Sequence, residues 1–146
     1  MKSRFAALLA PVLVLGTLAA SPPPMAAGAP ARPAPVKLLT CTGKTTVRPV
    51  DFVISCADAN AQLTRTRWST WGSRAAKGRT RFALNLCQPN CAASKMSFFP
   101  GSPVELSAPL RTKHHGKLFS KLAVHYNLHG KAKVFSLSWK GSPSFS

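Results

Sequence analysis

Acidic residues are nearly absent from this sequence. Its 146 residues include 3 Asp and Glu against 20 Lys and Arg, which gives a formal net charge of +17 at pH 7. Because paired-carboxylate catalysis and calcium sites need several converging carboxylates, this scarcity argues against both. The same imbalance favours non-specific association with polyanions at low salt. The three acids are Asp51, Asp58 and Glu105.

Motifs for catalysis and metal binding are missing as well. The sequence has no nucleophile elbow, no HExxH and no CxxC pair, and its four cysteines are separated by 14, 30 and 3 residues. Zinc sites use tighter spacing, so we predict no metal site, no cofactor and no catalytic set. One enzyme alternative stays open, in which His125 and Asp58 serve an envelope-directed hydrolase as an acid–base pair.

Long apolar runs are confined to the N-terminus. Lys2 and Arg4 precede an uncharged apolar run, Phe5 to Ala20, and small residues and prolines follow it. This order is typical of a secretory signal peptide, and the run is shorter than the roughly 20 residues of a membrane span. We therefore predict a secreted, extracellular protein, either free or associated with the cell wall, with no membrane span once the signal is removed.

The composition divides the chain into four parts. A Pro/Ala-rich stretch separates the signal from a region of strand-like texture. The predicted parts are a signal peptide over 1–28 with cleavage between 27 and 31, a linker over 29–35, one β domain over 36–140, and a flexible tail over 141–146.

The four cysteines predict two disulfides, because an even number in an exported chain is typical of an oxidised framework. Four cysteines allow three pairings. We favour the local pairing, Cys41 with Cys56 and Cys87 with Cys91. The crossed pairings would instead join Cys41 to Cys87 or to Cys91.

Alternating apolar residues and frequent turn signals predict an all-β fold. Phe82 and Leu84 share one face of a predicted strand, and Val124 and Tyr126 share one face of another. About seven or eight short antiparallel strands are expected, in a small disulfide-bonded β-sandwich or barrel-like domain. Residues 72–78 are predicted as a basic loop, 92–103 as irregular, and 104–106 as a short strand ended by Pro109.

A basic hairpin is the predicted binding surface. Trp68 and Trp71 are three residues apart, so a regular strand would point them to opposite faces, one into the core and one outward as a stacking platform. The alternative is that both pack in the core. The predicted polyanion-binding residues are Arg65, Arg67, Trp68, Trp71, Arg74, Lys77, Arg79 and Arg81.

Asp58 and Asn60 are predicted to form a structural turn, because their side chains can bond to nearby backbone N–H groups. Asp58 could also pair with Arg65 or Arg67.

Four segments carry a pattern of short motifs, CADxN, WSxW and NxCxPxCA, followed by a late LFxxL. They are Cys56 to Asn60, Trp68 to Gly72, Asn85 to Ala92, and Leu118 to Leu122. In this pattern the sequence resembles a family of small secreted proteins of actinobacteria. The resemblance implies export and a compact disulfide-bonded fold, but no activity.

Together these features predict an exported, strongly basic, non-enzymatic protein whose partners are anionic cell-envelope polymers or other polyanions. The hydrolase is one alternative. The other is a protein-binding module or inhibitor that presents the loop between Cys87 and Cys91.

Overall fold

Strands form throughout the described part of the chain, residues 33–139 of a computed structural model. The predicted signal peptide, most of the linker and the tail lie outside these residues. The described range contains no helix, and each strand runs antiparallel to its neighbours within a sheet, so the all-β prediction is confirmed. The strands are β1 (Leu38–Leu39), β2 (Thr45–Thr46), β3 (Phe52–Val53), β4 (Ala61–Trp71), β5 (Ala76–Asn85), β6 (Met96–Thr112), β7 (Gly116–Leu128) and β8 (Lys131–Ser138).

The strands form two sheets of unequal size. β1 and β2 form a small hairpin, and β3 to β8 form a six-stranded meander in which each strand pairs with the next one in sequence. The large sheet curls into a half-barrel, so the barrel-like alternative describes this chain. No helix in the described residues is long and apolar enough to cross a membrane.

β-bulges accompany the curl of the large sheet. The register between β4 and β5 shifts twice, between Thr64 and Arg67 and again between Trp68 and Thr70. The register between β5 and β6 shifts once, opposite a stretch of β6 that includes Gly101 at φ +70°. Each bulge adds a residue to one strand and strengthens the local twist. Three bulges in neighbouring strands therefore bend the sheet around its apolar face.

The predicted short strand after an irregular segment is wrong, because β6 continues over 17 residues. Proline removes a ladder hydrogen bond and is tolerated where a strand has an open side. Pro100 and Pro103 lie in the half of β6 that pairs with β5, and Pro109 lies in the half that pairs with β7. Each proline thus sits where β6 has one paired neighbour, so the strand continues through all three.

The core lies on the inner side of the curl. Leu63, Phe82, Leu106 and Val124 come from four successive strands and are fully buried there. The alternation predicted for Phe82 and Val124 is therefore correct. The large apolar residues of one face of each strand meet across the half-barrel, which is the arrangement that period-two patterning requires.

The segment before β1 packs against the same core. Val36 and Leu38 are buried, and the backbone N–H of Lys37 donates to the Lys117 carbonyl oxygen at 3.0 Å. The Lys37 carbonyl oxygen accepts from the Phe119 N–H, also at 3.0 Å. These bonds tie the N-terminal strand to the start of β7.

Two disulfides join neighbouring segments in the favoured local pairing. Cys41 bonds to Cys56 and Cys87 bonds to Cys91, and the described chain has no free cysteine. The first bond connects the β1–β2 hairpin to the end of the β3 region. The second closes a short loop between β5 and β6.

Candidate anion-binding face on the β4–β5 hairpin

The β4–β5 hairpin presents its arginines on the outer side of the sheet. Thr66 and Thr80 are buried and bond to each other through their hydroxyl groups at 3.0 Å. Because successive side chains alternate between faces, Arg67 and Arg79 point away from the core. Both are exposed, and their Cα atoms are direct partners across the two strands.

The remaining predicted basic residues lie around this pair. Arg65 is exposed in the first bulge at φ +52°, and Arg74 is exposed in the connecting turn. That turn is shorter than the predicted loop, since it covers residues 72–75 and closes with a bond from the Gly72 N–H to the Ala75 carbonyl oxygen at 2.8 Å. Lys77 is therefore in β5, where it faces outward.

The tryptophans do not point to opposite faces. The bulge between Trp68 and Thr70 adds one residue, which returns Trp71 to the side that Trp68 occupies. Their rings lie 4.8 Å apart and perpendicular to each other. Both indoles are half-buried against the core, and their N–H groups donate to the carbonyl oxygens of Pro49 at 2.8 Å and Val36 at 2.7 Å. Their geometry is that of core packing.

Acidic side chains compensate little of this positive charge. The single ion pair in residues 33–139 joins Lys77 to Glu105 at 3.7 Å, and both side chains are well exposed. Asp51 accepts a hydrogen bond from the backbone N–H of Arg65 at 2.9 Å, so it caps the bulge. The guanidinium groups of Arg67 and Arg79 have no carboxylate partner within salt-bridge distance in the described residues.

A cleft of about 390 Å³ opens beside the arginine pair. It is lined by Arg67, Trp68, Ser69, Lys77, Gly78, Arg79 and Pro103. Gly78 is required here, because a Cβ atom at this position would lie 2.6 Å from the Arg67 carbonyl oxygen. The Arg79 guanidinium donates to the Gly101 carbonyl oxygen at 3.0 Å, which holds this side chain over the sheet.

Arg81 is separated from the cleft by its own packing. Its guanidinium carbon lies 3.9 Å from the centre of the Phe98 ring, a cation–π contact. Phe98 is one of the most exposed large apolar residues, at 47%. The sequence indicated no role for Phe98, because residues 92–103 were predicted as irregular and its register opposite Ala83 was not foreseeable.

Asp58 and Asn60 form a turn stabilised by hydrogen bonds. The carboxylate of Asp58 accepts from the backbone N–H of Asn60 at 3.1 Å and from its side-chain amide at 2.6 Å. The backbone bond from Asn60 is the main cause that lowers the pKa of Asp58 below its usual value, with further bonds from Ser55 and Asn60 acting in the same direction. The proposed pairing of Asp58 with Arg65 or Arg67 is absent.

The histidines are spread over the surface rather than converging. His125 is exposed on β7, whereas Asp58 lies in the connection between β3 and β4, so several strands separate the two candidate hydrolase residues. His114 lies in the β6–β7 turn, and His129 in the β7–β8 turn. Within residues 33–139 no group of three or more His, Cys, Asp and Glu could hold a metal ion.

The side chain of Asn85 stabilises the loop between Cys87 and Cys91 through hydrogen bonds to both of its ends. The side-chain amide of Asn85 donates to the carbonyl oxygen of Cys91, and its side-chain oxygen accepts from the N–H of Cys87, both at 2.9 Å. The same amide bonds to the side-chain oxygen of Asn60 at 2.9 Å, which links the loop to the Asp58 turn. Gln88 and Asn90 are exposed at the tip.

Comparisons of the chain with models of known protein families, with curated proteins and with solved structures found no match in any of the three. Function must therefore be inferred from the chain's own charge and geometry. The two disulfides already indicate an extracellular or other oxidising environment, because cytosolic thiols are kept reduced.

Proposed function

We propose that this chain is an exported, non-enzymatic protein that associates with anionic polymers of the cell envelope. The observation that carries the proposal is the arginine pair on the outer face of the β4–β5 hairpin. Arg67 and Arg79 are exposed, directly opposite each other, and unpaired with any carboxylate of the described chain. A polymer with negative charges would supply the missing counter-charges.

The whole-chain charge supports the same partner. With 20 basic residues against 3 acidic ones, the chain carries a strong positive net charge, which attracts polyanions. The N-terminal signal pattern and the resemblance to small secreted actinobacterial proteins favour the envelope as the place of encounter. The disulfides are consistent with that compartment.

Salt dependence of binding tests the proposal. The exported chain is titrated with poly(glycerol phosphate) by calorimetry at 50 and 200 mM NaCl. Contacts with about four phosphate groups predict a loss of affinity of about 50-fold between these two conditions. Equal affinity at the two salt concentrations, or no binding at 50 mM NaCl, would contradict the proposal.

The disulfide loop between Cys87 and Cys91 favours a second candidate, a protein-binding module or inhibitor. The loop is exposed at Gln88, Pro89 and Asn90, and the bonds from Asn85 hold it in one shape. A rigid exposed tip binds with little loss of conformational entropy. The test is inhibition of extracellular proteases by the native protein and by Gln88→Ala. Absence of inhibition, or equal inhibition by the two forms, removes this candidate.

A further inference from the structure

Arg67 and Arg79 lie directly opposite each other on the outer face of the β4–β5 hairpin, and both line the same cleft. Residues directly opposite each other in an antiparallel pair have Cβ atoms about 5 Å apart, and like charges at such positions repel. Arg67 and Arg79 occupy such positions on β4 and β5. The fold therefore places two arginines directly opposite each other, and both line one cleft with no carboxylate of the described chain within salt-bridge distance of either.

Neighbouring backbone features keep the pair in place. The bulge at Arg65 sets the register that brings Arg67 opposite Arg79, and the missing side chain of Gly78 allows the two strands to approach closely. The Arg79 guanidinium uses one of its five N–H donors on the Gly101 carbonyl oxygen. Other donors of Arg79 and those of Arg67 stay available on the cleft side.

The chemistry of the pair favours phosphate. A carboxylate presents two acceptor oxygens in one plane, whereas a phosphate presents more oxygens in a tetrahedral arrangement, so it can accept two-point contacts from two arginines that approach from different directions. We propose that Arg67 and Arg79 together bind one phosphate group of the envelope polymer, in the cleft of about 390 Å³ between them and Pro103.

The surface beyond the pair accommodates a neutral unit next to the phosphate. The cleft is followed by a second one of about 290 Å³, and Pro103 lines both. The second cleft is lined by uncharged groups over most of its length, among them Gly101, Ser102 and Tyr126. A polymer in which phosphates alternate with neutral polyol or sugar units fits this sequence of surfaces.

Nucleic acid fits this face less well. Binding of unpaired bases relies on open aromatic rings beside the basic residues. Here Trp68 lines the cleft, but it is half-buried against the core and Trp71, and its indole N–H is bonded to the Pro49 carbonyl oxygen. The ring of Phe98 is 47% exposed, and Arg81 already contacts one of its faces at 3.9 Å. The inference rests on the proposed polymer binding, and it names the residues that bind the polymer and the chemical group that they bind.

The test compares variants that lose the same charge at different places. Arg67→Gln and Arg79→Gln are each measured against Lys131→Gln and Lys133→Gln, which lie exposed on β8. The full exported chain is titrated with poly(glycerol phosphate) at 50 mM NaCl. We expect each arginine variant to lose about 10-fold or more in affinity, as for one charge-assisted hydrogen bond, and each lysine variant to lose about 2-fold.

Four further probes, the last of them single-stranded DNA, identify the anion and its source. Inorganic phosphate and dimethyl phosphate distinguish a terminal phosphate from a diester, and polygalacturonate supplies carboxylates on a similar chain. Competition by either phosphate compound, with sensitivity to Arg67→Gln, supports the subsite. Equal losses in arginine and lysine variants would overturn the subsite and leave polyanion binding standing. Tighter binding of polygalacturonate would overturn the phosphate assignment. Tighter binding of single-stranded DNA, which is itself a phosphodiester, would overturn the assignment to an envelope polymer. No binding by the native chain would contradict the proposed function itself.

Discussion

At the scale of single residues, Gly78 shows how one position controls the geometry of the arginine face. A Cβ atom there would lie 2.6 Å from the Arg67 carbonyl oxygen and 3.1 Å from the Trp68 Cα atom, both in the backbone of the neighbouring strand. Backbone atoms of a paired strand cannot move aside cheaply. Gly78→Ala is therefore expected to lower the free energy of unfolding by roughly 1–3 kcal/mol, as other overpacked positions do.

Urea denaturation of the exported chain measures this loss. Gly72→Ala is the matched control, because its added Cβ would meet the Ala75 carbonyl oxygen at 3.2 Å, a milder contact than the one of 2.6 Å at Gly78. Equal midpoints for the two variants would contradict the close approach of β4 and β5 at Gly78. We also expect Gly78→Ala to weaken phosphate binding, since displacement of β4 moves Arg67.

Asp58 is a second residue whose contribution to stability can be measured, because that contribution depends on pH. The hydrogen bond from the Asn60 backbone lowers its pKa in the folded chain, below the reference value of 3.8. A lowered folded pKa means that the carboxylate stabilises the fold above the reference pKa, and that this stability is lost as the pH falls through the lower, folded value. Asp58→Ala is therefore expected to lower the melting temperature at pH 7, with the gap to the native chain narrowing below about pH 4.

Asp58→Asn separates charge from hydrogen bonding in this turn. It keeps an oxygen that can accept from the Asn60 N–H but has no charge to lose, so we expect a smaller deficit at pH 7. Thermal unfolding followed by circular dichroism between pH 2 and 7 gives both curves. A gap between native and Asp58→Ala that stays constant over this range would contradict a stabilising carboxylate.

At the scale of strands and loops, the sequence predicted which segments form strands better than it predicted where those strands are interrupted by bulges. The alternation around Phe82 and Val124 identified the core faces, and turn residues such as Gly130 marked the ends of strands. The bulges were not predictable, because Arg65 and Ser69 carry no local signal for an extra residue, and tertiary pairing decides where a register shifts. One inserted residue reverses every later side chain, so Trp68 and Trp71 share one side of the sheet, as in the alternative in which both pack in the core.

For the candidate site, the sequence therefore predicted the residues but not their arrangement. Its arginines could be identified from composition and alternation. Their direct opposition could not, because Arg67 meets Arg79 through the first bulge, and Gly78 and Pro103 join the cleft through long-range pairing. Pro100 and Pro103 suggested that no strand forms at this point, whereas β6 continues there with a paired strand on one side only.

The two disulfides are elements whose contributions should differ. The bond between Cys41 and Cys56 spans 15 residues in sequence, and the bond between Cys87 and Cys91 spans 4. In the chain-entropy account, these loops are worth about 3 and about 2 kcal/mol of stability. Loss of the first bond also loosens the β1–β2 hairpin, whose flanking residue Val36 accepts the Trp71 indole bond.

Paired alanine variants test this difference. Cys41→Ala with Cys56→Ala is expected to lower the free energy of unfolding more than Cys87→Ala with Cys91→Ala, and to shift tryptophan fluorescence to longer wavelength as water reaches Trp71. The second pair should leave the fluorescence unchanged, because its loop lies at the opposite end of β5 from the Trp71–Ala76 pairing. A larger loss of stability for the second pair would contradict the assigned roles.

At the scale of the whole molecule, positive charge opposes folding as well as promoting binding. Without Lys2 and Arg4 of the predicted signal peptide, 18 Lys and Arg remain against 3 acidic residues, a net charge of +15. This charge repels itself in the compact state, and salt screens the repulsion over a Debye length of about 10 Å at 0.1 M. We therefore expect the melting temperature of the exported chain to rise between 10 and 300 mM NaCl. The arginine pair should contribute more to this repulsion than other pairs of basic residues, because like charges directly opposite each other on neighbouring strands destabilise the fold by roughly 0.2–1 kcal/mol.

The double variant Arg67→Gln with Arg79→Gln isolates that contribution. At 10 mM NaCl its melting temperature should exceed that of Lys131→Gln with Lys133→Gln, which removes equal charge from two positions on one strand, opposite Leu128 and Tyr126 rather than opposite each other. At 300 mM NaCl the two should converge, since screening removes the repulsion in both. Scanning calorimetry at the two salt concentrations measures the difference. If the lysine variant gains as much at low salt, the repulsion is a property of the total charge, and Arg67 and Arg79 hold no stored repulsion for a bound phosphate to relieve.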